Sequence, residues 1–164
     1  MHQIGDRVVY GIHGVCTIIG TEERVIDRKR VEYFVLSPIE QQESRYYIPT
    51  RNQAAVSKLR KVMSKEELEA LLHSDYANRD MWIADENARK QCYRELINSG
   101  DRAALISMAH TLHRHKEAQL AAGKKFHLCD ENFLKDAEKL LSSEFSLVLG
   151  IPKESVGNYI LQVK

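Results

Sequence analysis

The chain has 164 residues, of which 43% are hydrophobic and 29% are charged, a balance typical of a globular protein rather than a disordered one. Its net charge is only +1, so the overall composition does not indicate a broad nucleic-acid-binding surface. The first residues lack the basic and apolar regions of a signal peptide, and no apolar run reaches the length of a membrane span. We therefore expect a cytoplasmic protein that contacts no membrane.

Charge and pattern both divide the chain near residue 63. Lys and Arg number ten against seven Asp and Glu up to Met63, and fourteen against sixteen from Ser64 onward. Ser64 and Glu67 form a capping-box pattern, which predicts that a helix starts there. We predict a two-domain α+β protein in which residues 1–63 are rich in strands and residues 64–164 form an all-α domain of about five helices.

Short β-patterned runs separated by turn residues fill the first half. The predicted strands cover residues 7–10, 15–19, 31–36, 45–48 and 56–59. Five such strands are expected to close a small antiparallel barrel of the SH3 or Tudor-like kind. Residues 23–26 are a candidate edge for pairing with a partner strand, and an ordinary exposed strand is the alternative interpretation.

Helical periodicity and capping residues organise the second half. The predicted helices cover residues 64–73, 80–98, 101–122, 130–150 and 152–164. Asp101 and Asp130 are expected to be N-caps, and Gly100 and Gly150 are expected to end helices. The apolar stripe over residues 133–149 predicts the centre of the helical core. The packing face of the last helix is predicted to hold Val156, Tyr159, Ile160 and Val163.

Three histidines of the third helix, His110, His113 and His115, raise the possibility of a metal site. Residues two apart point to nearly opposite sides of a helix, and no carboxylate pattern completes a set of ligands. Three widely spaced cysteines give neither a disulfide framework nor a four-cysteine zinc site. A Gly-rich phosphate loop, a nucleophile elbow and an HExxH motif are all missing from the sequence. We expect no metal, no cofactor and no enzymatic activity.

The only tryptophan, Trp82, is predicted to lie early in the second helix. On composition alone its ring is expected in the core, because tryptophan is highly buried on average. The positions three and four residues further on are Asp85 and Glu86, so one flank of the ring lacks an apolar neighbour. An exposed ring that contacts a partner is therefore the alternative.

Several stretches in order resemble the CarD/CdnL family of bacterial transcription regulators. They are Gly-Asp-Arg-Val-Val-Tyr at 5–10, His-Gly-Val at 13–15, Glu-Tyr-Phe-Val-Leu at 32–36, Tyr-Ile-Pro at 47–49, Asn-Ser-Gly-Asp at 98–101 and Phe-Ser-Leu-Val-Leu-Gly-Ile-Pro at 145–152. The first half is similar to the RNA polymerase-interacting domain shared with the transcription-repair coupling factor. The second half is similar to the form of the family found in Firmicutes.

The resemblance implies that the first domain is Tudor-like and pairs by strand addition with the RNA polymerase β subunit. Arg24 falls where family members carry a polymerase-contacting arginine. A second such arginine of actinobacterial members falls at or beside Tyr47, with Arg45 two residues earlier. The polymerase-contacting residues implied in this way are Arg24, Val25, Ile26, Arg45, Tyr47, Ile48 and Pro49.

The resemblance implies that the second domain touches promoter DNA at the upstream edge of the melted bubble. Family members wedge an exposed tryptophan into the minor groove there, and Trp82 is the one residue that can match it. This implication reverses the expectation of a core tryptophan. Candidate phosphate contacts are Arg79, Arg89, Lys90, Arg94, Lys124 and Lys125, for which a solvated helix face is the alternative.

The leading functional hypothesis is a monomeric, non-enzymatic regulator that binds polymerase and stabilises the open promoter complex. The second hypothesis is an adaptor whose barrel binds polymerase or another protein while its helical domain binds protein rather than DNA. The slightly acidic second half favours the adaptor on charge alone. The third, an enzyme that uses the His and Cys residues, has only their presence in its favour.

Overall fold

The protein is described by a computed structural model that covers residues 2–162. The chain divides into two compact units, Met1–Val62 and Met63–Lys164. The sequence-based boundary lies between residues 63 and 64. Val163, expected on the packing face of the last helix, lies outside the described residues. None of the helices between residues 2 and 162 combines the length and apolarity that a membrane crossing requires.

The first unit contains an antiparallel sheet of five strands in the order β4-β3-β2-β1-β5. The strands are β1 Arg7–Tyr10, β2 Val15–Ile26, β3 Lys29–Pro38, β4 Tyr46–Pro49 and β5 Leu59–Lys61. The predicted α+β class, with five antiparallel strands followed by helices, is confirmed. Within the described residues the outer strands β4 and β5 do not pair with each other, so the sheet is open and the predicted closed barrel is not formed.

The last strand begins later than predicted because the chain first forms a short helix. The Asn52 side chain accepts the N–H of Ala55 (3.1 Å) and so caps helix α1, Gln53–Val56. Val56 is therefore helical, although the sequence pattern places it in a strand. The three residues left for β5 pair with β1.

Strands β2 and β3 form a hairpin that is longer than the sequence pattern indicates. Its turn contains only Asp27 and Arg28, whose φ angles are 48° and 64°. Positive φ at both central residues is typical of a type I′ turn, whose twist matches that of the flanking strands. Ile26 and Lys29 pair directly next to this turn. Lys29 and Arg30 therefore belong to β3 rather than to the turn.

One face of the sheet forms the core of the first unit. The buried residues are Val8, Cys16, Ile18, Leu36, Ile48 and Leu59. Burial raises the pKa of the Cys16 thiol to about 11, so this cysteine is a packing residue rather than a nucleophile. Because side chains alternate along a strand, Tyr33, Val35 and Tyr47 lie on the opposite face.

The second unit contains five α-helices within the described residues. They are α2 Lys65–Leu72, α3 Glu86–Ser99, α4 Arg102–Ala121, α5 Leu128–Leu149 and α6 Lys153–Gln162. The two longest helices, α4 and α5, pack against each other. The stripe predicted for α5 is confirmed in the core by the buried residues Phe133, Leu134, Ala137, Leu141 and Phe145.

Several predicted helix ends are confirmed. Ser64 and Glu67 form both hydrogen bonds of a capping box at the start of α2. The Asp101 side chain accepts the N–H of Ala104 at the start of α4. Gly100 and Gly150 end α3 and α5 in the left-handed conformation.

Two predicted helix starts are wrong, and both errors involve acidic residues. Helix α3 begins at Glu86 rather than near Asp80, because Asp85 is the residue whose side chain caps it, on the N–H of Ala88 (2.9 Å). Helix α5 begins at Leu128, before Asp130, which is buried in the first turn and is not an N-cap. Trp82 therefore lies in a non-helical segment between the short 3-10 helix Asp75–Ala77 and α3.

Candidate functional site

One edge of strand β2 is open over half its length. Strand β1 pairs with β2 only between residues 15 and 17, and the backbone of Gly5 and Asp6 bonds to Ile18. Within the described residues no strand lies along this edge over residues 20–26, whereas the other edge pairs with β3 throughout. The outward N–H and C=O groups of residues 20–26 can therefore pair with an added strand.

Arg24 projects from this open stretch onto the exposed face of the sheet. Its Cζ lies 4.1 Å from the centroid of the Tyr47 ring, and its Nε donates to Glu22 Oε1 (3.3 Å). Tyr33 meets the edge of the Tyr47 ring at a centroid distance of 6.5 Å. The sheet thus brings together Arg24 and Tyr47, two predicted polymerase contacts that are far apart in the sequence. A guanidinium over an aromatic ring leaves donors free for a partner.

The other predicted polymerase contacts differ in how far their side chains are exposed. Val25 and Ile26 are exposed to 69% and 46% beside the hairpin turn. Ile48 is only 4% exposed, and its side chain packs in the sheet core rather than facing a partner. Pro49 is partly buried. Arg45 is exposed, and its Nη1 donates to Ser37 Oγ (3.3 Å) and to the backbone oxygens of Gln42 and Ser44, which fixes the loop before β4.

The tryptophan segment of the second unit, defined as residues 76–83, runs along one stripe of α4. The stripe consists of Ser107, Thr111 and His115, which are spaced four residues apart. The N–H of Arg79 donates to Ser107 Oγ (3.3 Å), and the N–H of Met81 donates to Thr111 Oγ1 (3.0 Å). Successive turns of α4 therefore anchor successive points of this segment.

Helix α3 anchors the same segment from its other side. Tyr93 Oη donates to the Met81 carbonyl (3.0 Å), and Arg89 Nη1 donates to the Ile83 carbonyl (2.9 Å). Burial raises the pKa of the Tyr93 phenol, so its hydroxyl remains protonated and able to donate at neutral pH. Both polar groups of the Met81 backbone are thus bonded by side chains.

The indole of Trp82 is partly buried and packs against the side chains of His115 and Arg89. It stacks on the His115 ring at a centroid distance of 3.6 Å and an interplanar angle of 14°. The Cζ of Arg89 lies 4.3 Å from the indole centroid. Burial lowers the pKa of His115, which favours the neutral ring. The ring packs against the helical core without belonging to its fully buried set.

Arg89 and Asp130 form a buried ion pair beneath this segment. Arg89 Nε and Nη2 donate to the two carboxylate oxygens of Asp130, each at 3.0 Å. The Arg89 residue is 3% exposed and Asp130 is 0% exposed. All three guanidinium nitrogens thus donate to acceptors inside the protein, so Arg89 is not presented on the surface as the predicted phosphate contact would require.

Comparison with known families gives a result for the first unit. The family model for the CarD-like/TRCF RID domain matches residues 2–63. The chain contains a CarD-like/TRCF RID domain over these residues. A search of curated proteins gave no match. The matched region contains the open edge of β2 together with Arg24 and Tyr47, while the helical unit lies outside it.

The RID domain is an RNA polymerase-interacting domain, so RNA polymerase is a partner of this chain. This domain assignment makes the chain an RNA polymerase-binding transcription factor.

The remaining candidate phosphate contacts are not grouped around one point. Arg79, Arg94, Lys124 and Lys125 are exposed. Lys90 is partly buried, and its Nζ lies 3.2 Å from Glu86 Oε1 one helical turn earlier. Lys124 and Lys125 lie in the turn between α4 and α5, and Arg94 lies on α3. Arg79 belongs to the tryptophan segment itself.

The three histidines of α4 have three separate environments. His110 is buried, and burial lowers its pKa. His113 Nε2 lies 3.0 Å from Glu117 Oε1, and His115 stacks on Trp82. Among the described residues, no group of three or more His, Cys, Asp and Glu side chains has an arrangement suited to a metal ion.

Sequence reasoning missed the residues that anchor the tryptophan segment. They are Ser107, Thr111, Tyr93 and Asp130. The available signal was the pair of hydroxyl residues Ser107 and Thr111, which lie four apart within an otherwise apolar and buried stretch of α4. Buried hydroxyls need hydrogen-bond partners, and here they bind a neighbouring backbone.

Proposed function

We propose that this chain binds the RNA polymerase β subunit through its RID domain and stabilises the open promoter complex. In this proposal Trp82 wedges into the minor groove at the upstream edge of the bubble. The protein is a non-enzymatic regulator that acts as a monomer in the cytoplasm. The observation that carries the proposal is the partly exposed indole on a non-helical segment anchored by α3 and α4.

Strand addition to β2 is the proposed mode of polymerase binding. The open N–H and C=O groups of residues 20–26 would supply main-chain hydrogen bonds, which give affinity. Specificity would come from the side chains beside that edge. Arg24 and Tyr47 offer a cation and an aromatic ring on one face, and Val25 and Ile26 offer apolar surface next to the turn.

In this proposal the wedge shifts the equilibrium between closed and open promoter complex toward the open form. An indole that inserts at an unstacked junction binds the open promoter better than closed duplex. Each ~1.4 kcal/mol of that preference changes the ratio of open to closed complex about tenfold. A ring on an anchored segment loses little conformational entropy on binding, so more of the contact energy contributes to this preference.

Docking of the RID domain compensates for the charge of the helical half. From Ser64 onward the chain carries fourteen Lys and Arg against sixteen Asp and Glu, which gives little general attraction to DNA. Binding to polymerase raises the local concentration of the helical unit at the promoter. Exposed cations such as Arg94, Lys124 and Lys125 would then set its orientation through phosphate contacts.

The test is a Trp82→Ala variant compared with Trp82→Phe. We expect Trp82→Ala to retain polymerase binding and to shorten the open-complex lifetime, and Trp82→Phe to restore part of that lifetime. The loss of unfolding free energy should be smaller than the about 3–5 kcal/mol typical of a core tryptophan, because the ring is only partly buried. Leu147→Ala, at another partly exposed apolar residue, serves as the control.

The adaptor hypothesis remains the second candidate because the helical half is slightly acidic. The adaptor and the minor-groove wedge differ in one measurable respect. A wedge requires that polymerase-dependent promoter binding be sensitive to Trp82, whereas an adaptor requires a protein partner for the helical unit. An unchanged open-complex lifetime in Trp82→Ala, with polymerase binding intact, would favour the adaptor.

A further inference from the structure

Tyr76 is a large aromatic residue that is exposed on a fixed backbone. It lies in the 3-10 helix Asp75–Ala77 and is 70% exposed. Ser107 Oγ donates to its carbonyl (2.8 Å), and the Ser74 side chain accepts the N–H of Ala77 (3.3 Å). Ala77 itself is buried in the helical core. The backbone is therefore anchored on both sides of a ring that faces solvent.

A guanidinium accompanies this ring. Arg79 Cζ lies 5.9 Å from the Tyr76 ring centroid, and Arg79 Nε donates to the Tyr76 carbonyl (3.2 Å). Arg79 takes part in none of the ion pairs found in the described part of the chain. An exposed ring with a cation beside it suits a nucleic-acid strand, since the cation binds phosphate and the ring packs on a base or sugar.

The separation between this pair and Trp82 is set by α4. Tyr76 and Arg79 are bonded to Ser107, whereas Trp82 stacks on His115, eight residues further along the same helix. Eight residues of α-helix span about 12 Å. Nucleotides repeat every 3.4 Å or so along a strand, so the two points are about three to four nucleotides apart.

We propose that Tyr76 and Arg79 form a second DNA contact, in which Arg79 binds a phosphate and Tyr76 packs against the neighbouring nucleotide. The inference rests on the proposed function, because continuity with Trp82 along one anchored segment is what identifies DNA as the occupant. Asp75 and Asp80 flank the pair in the sequence, so the contact forms on DNA that polymerase docking has already brought close.

The experiment compares Tyr76→Ala with Tyr76→Phe, and Arg79→Ala with Arg79→Lys, in the full chain bound to polymerase holoenzyme on promoter DNA. Tyr76→Ala should shorten the open-complex lifetime about fivefold, which corresponds to the loss of one weak base or sugar contact. Tyr76→Phe should match the wild type, because the ring is retained.

Arg79→Ala should reduce the salt dependence of the open-complex lifetime, and Arg79→Lys should retain that salt dependence. Photoreactive nucleotides should crosslink to Tyr76 three to four positions from those that crosslink to Trp82.

Three outcomes would overturn the inference. Wild-type lifetimes for Tyr76→Ala and Arg79→Ala, together with a defect in Trp82→Ala, would remove the second contact and leave the wedge intact. A loss of polymerase binding without DNA in the Tyr76 variant would assign the surface to a protein partner. Wild-type behaviour of all variants, Trp82→Ala included, would refute the proposed function as well.

Discussion

The open edge of β2 and the tryptophan segment differ in how their backbone polar groups are used. Over residues 20–26 one row of N–H and C=O groups has no strand partner in the described chain. In the tryptophan segment, by contrast, the N–H of Arg79, both polar groups of Met81 and the carbonyl of Ile83 are bonded to side chains of α3 and α4. The first surface has main-chain groups available to a partner strand, whereas the main-chain groups of the second are already bonded within the protein.

This difference teaches which kind of substitution each surface tolerates. An edge that binds through its main chain depends on its side chains mainly for specificity, so single changes alter affinity without loss of the fold. A segment bonded by buried side chains depends on each of those bonds for its position. Substitutions that weaken the anchors of the tryptophan segment should therefore affect stability and function together.

The largest effect is expected from Asp130→Asn. Loss of the carboxylate charge leaves the buried Arg89 guanidinium without its counter-ion, which should lower the free energy of unfolding by about 3–5 kcal/mol. Urea unfolding measures this loss. Glu131→Gln is the control, because its partner Lys116 is partly exposed. Equal stabilities for the two variants would show that the pair is not buried in solution.

The next effect concerns the RID edge. Arg24→Glu should weaken binding to the polymerase β subunit by about 2 kcal/mol, roughly thirtyfold in Kd, and should leave the unfolding transition in place because Arg24 is exposed. Arg30→Glu introduces the same charge change on the other face of the hairpin. If both variants lose the same affinity, net charge rather than the Arg24 and Tyr47 face governs binding.

A smaller effect should follow from Thr111→Val, which keeps the shape of the side chain and removes the hydroxyl that accepts the Met81 N–H. The partly buried amide then lacks an acceptor, at a cost of about 1–2 kcal/mol in unfolding free energy. We expect Thr111→Val to shorten the open-complex lifetime as well. Thr111→Ser keeps the acceptor and should have the wild-type lifetime. A shortened lifetime in Thr111→Ser equal to that in Thr111→Val would mean that packing, and not this hydrogen bond, positions Trp82.

The smallest effect is a pH dependence from His110 and His115. Burial lowers the pKa of both rings in the folded protein, so the unfolded chain binds protons more readily below its ordinary histidine pKa of about 6.5. Their contribution to stability is therefore fully present above pH 6.5 and declines as the pH falls through the folded pKa values. Burial raises the pKa of Glu138, which acts in the opposite direction.

Comparison with His115→Phe isolates the contribution of His115 to the pH dependence of the unfolding free energy. Phenylalanine keeps a ring against Trp82 but cannot be protonated, and Glu138 contributes equally to both proteins. Unfolding free energies measured from pH 7.5 to pH 5 should decline less steeply for His115→Phe. Parallel curves would mean that His115 titrates as an exposed residue.

Local signals in the sequence were sufficient for much of the fold. The capping box at Ser64, the Asp101 cap and the glycines at 100 and 150 each depend on neighbours within a few residues, and all are confirmed. The edge at 23–26 follows from a strand pattern that ends near a turn. The pairing of Arg24 with Tyr47 requires the register of three strands, and only the family resemblance pointed to both residues.

The tryptophan segment could not be predicted in this way because its anchors are distant in sequence. Arg89 and Asp130 are 41 positions apart, so each was interpreted from its neighbours alone, one as a surface cation and the other as a helix cap. The strongest cap before α3 is Asp85, yet Asp80 also precedes a helix-compatible run. Only the packing of α3, α4 and α5 decides between these possibilities.

The hydrogen bonding at Met63 has a mechanical consequence for the helical unit of a polymerase-binding protein. The Met63 N–H donates to Glu144 Oε2 (2.9 Å), and Arg102 binds the same carboxylate through Nε and Nη2 (2.6 and 2.8 Å). Tension that reaches the helical unit along the chain is therefore transferred at its first residue to α4 and α5, bypassing the short α2. Those two helices carry Thr111 and Asp130, so the load would fall on the elements that hold the tryptophan segment.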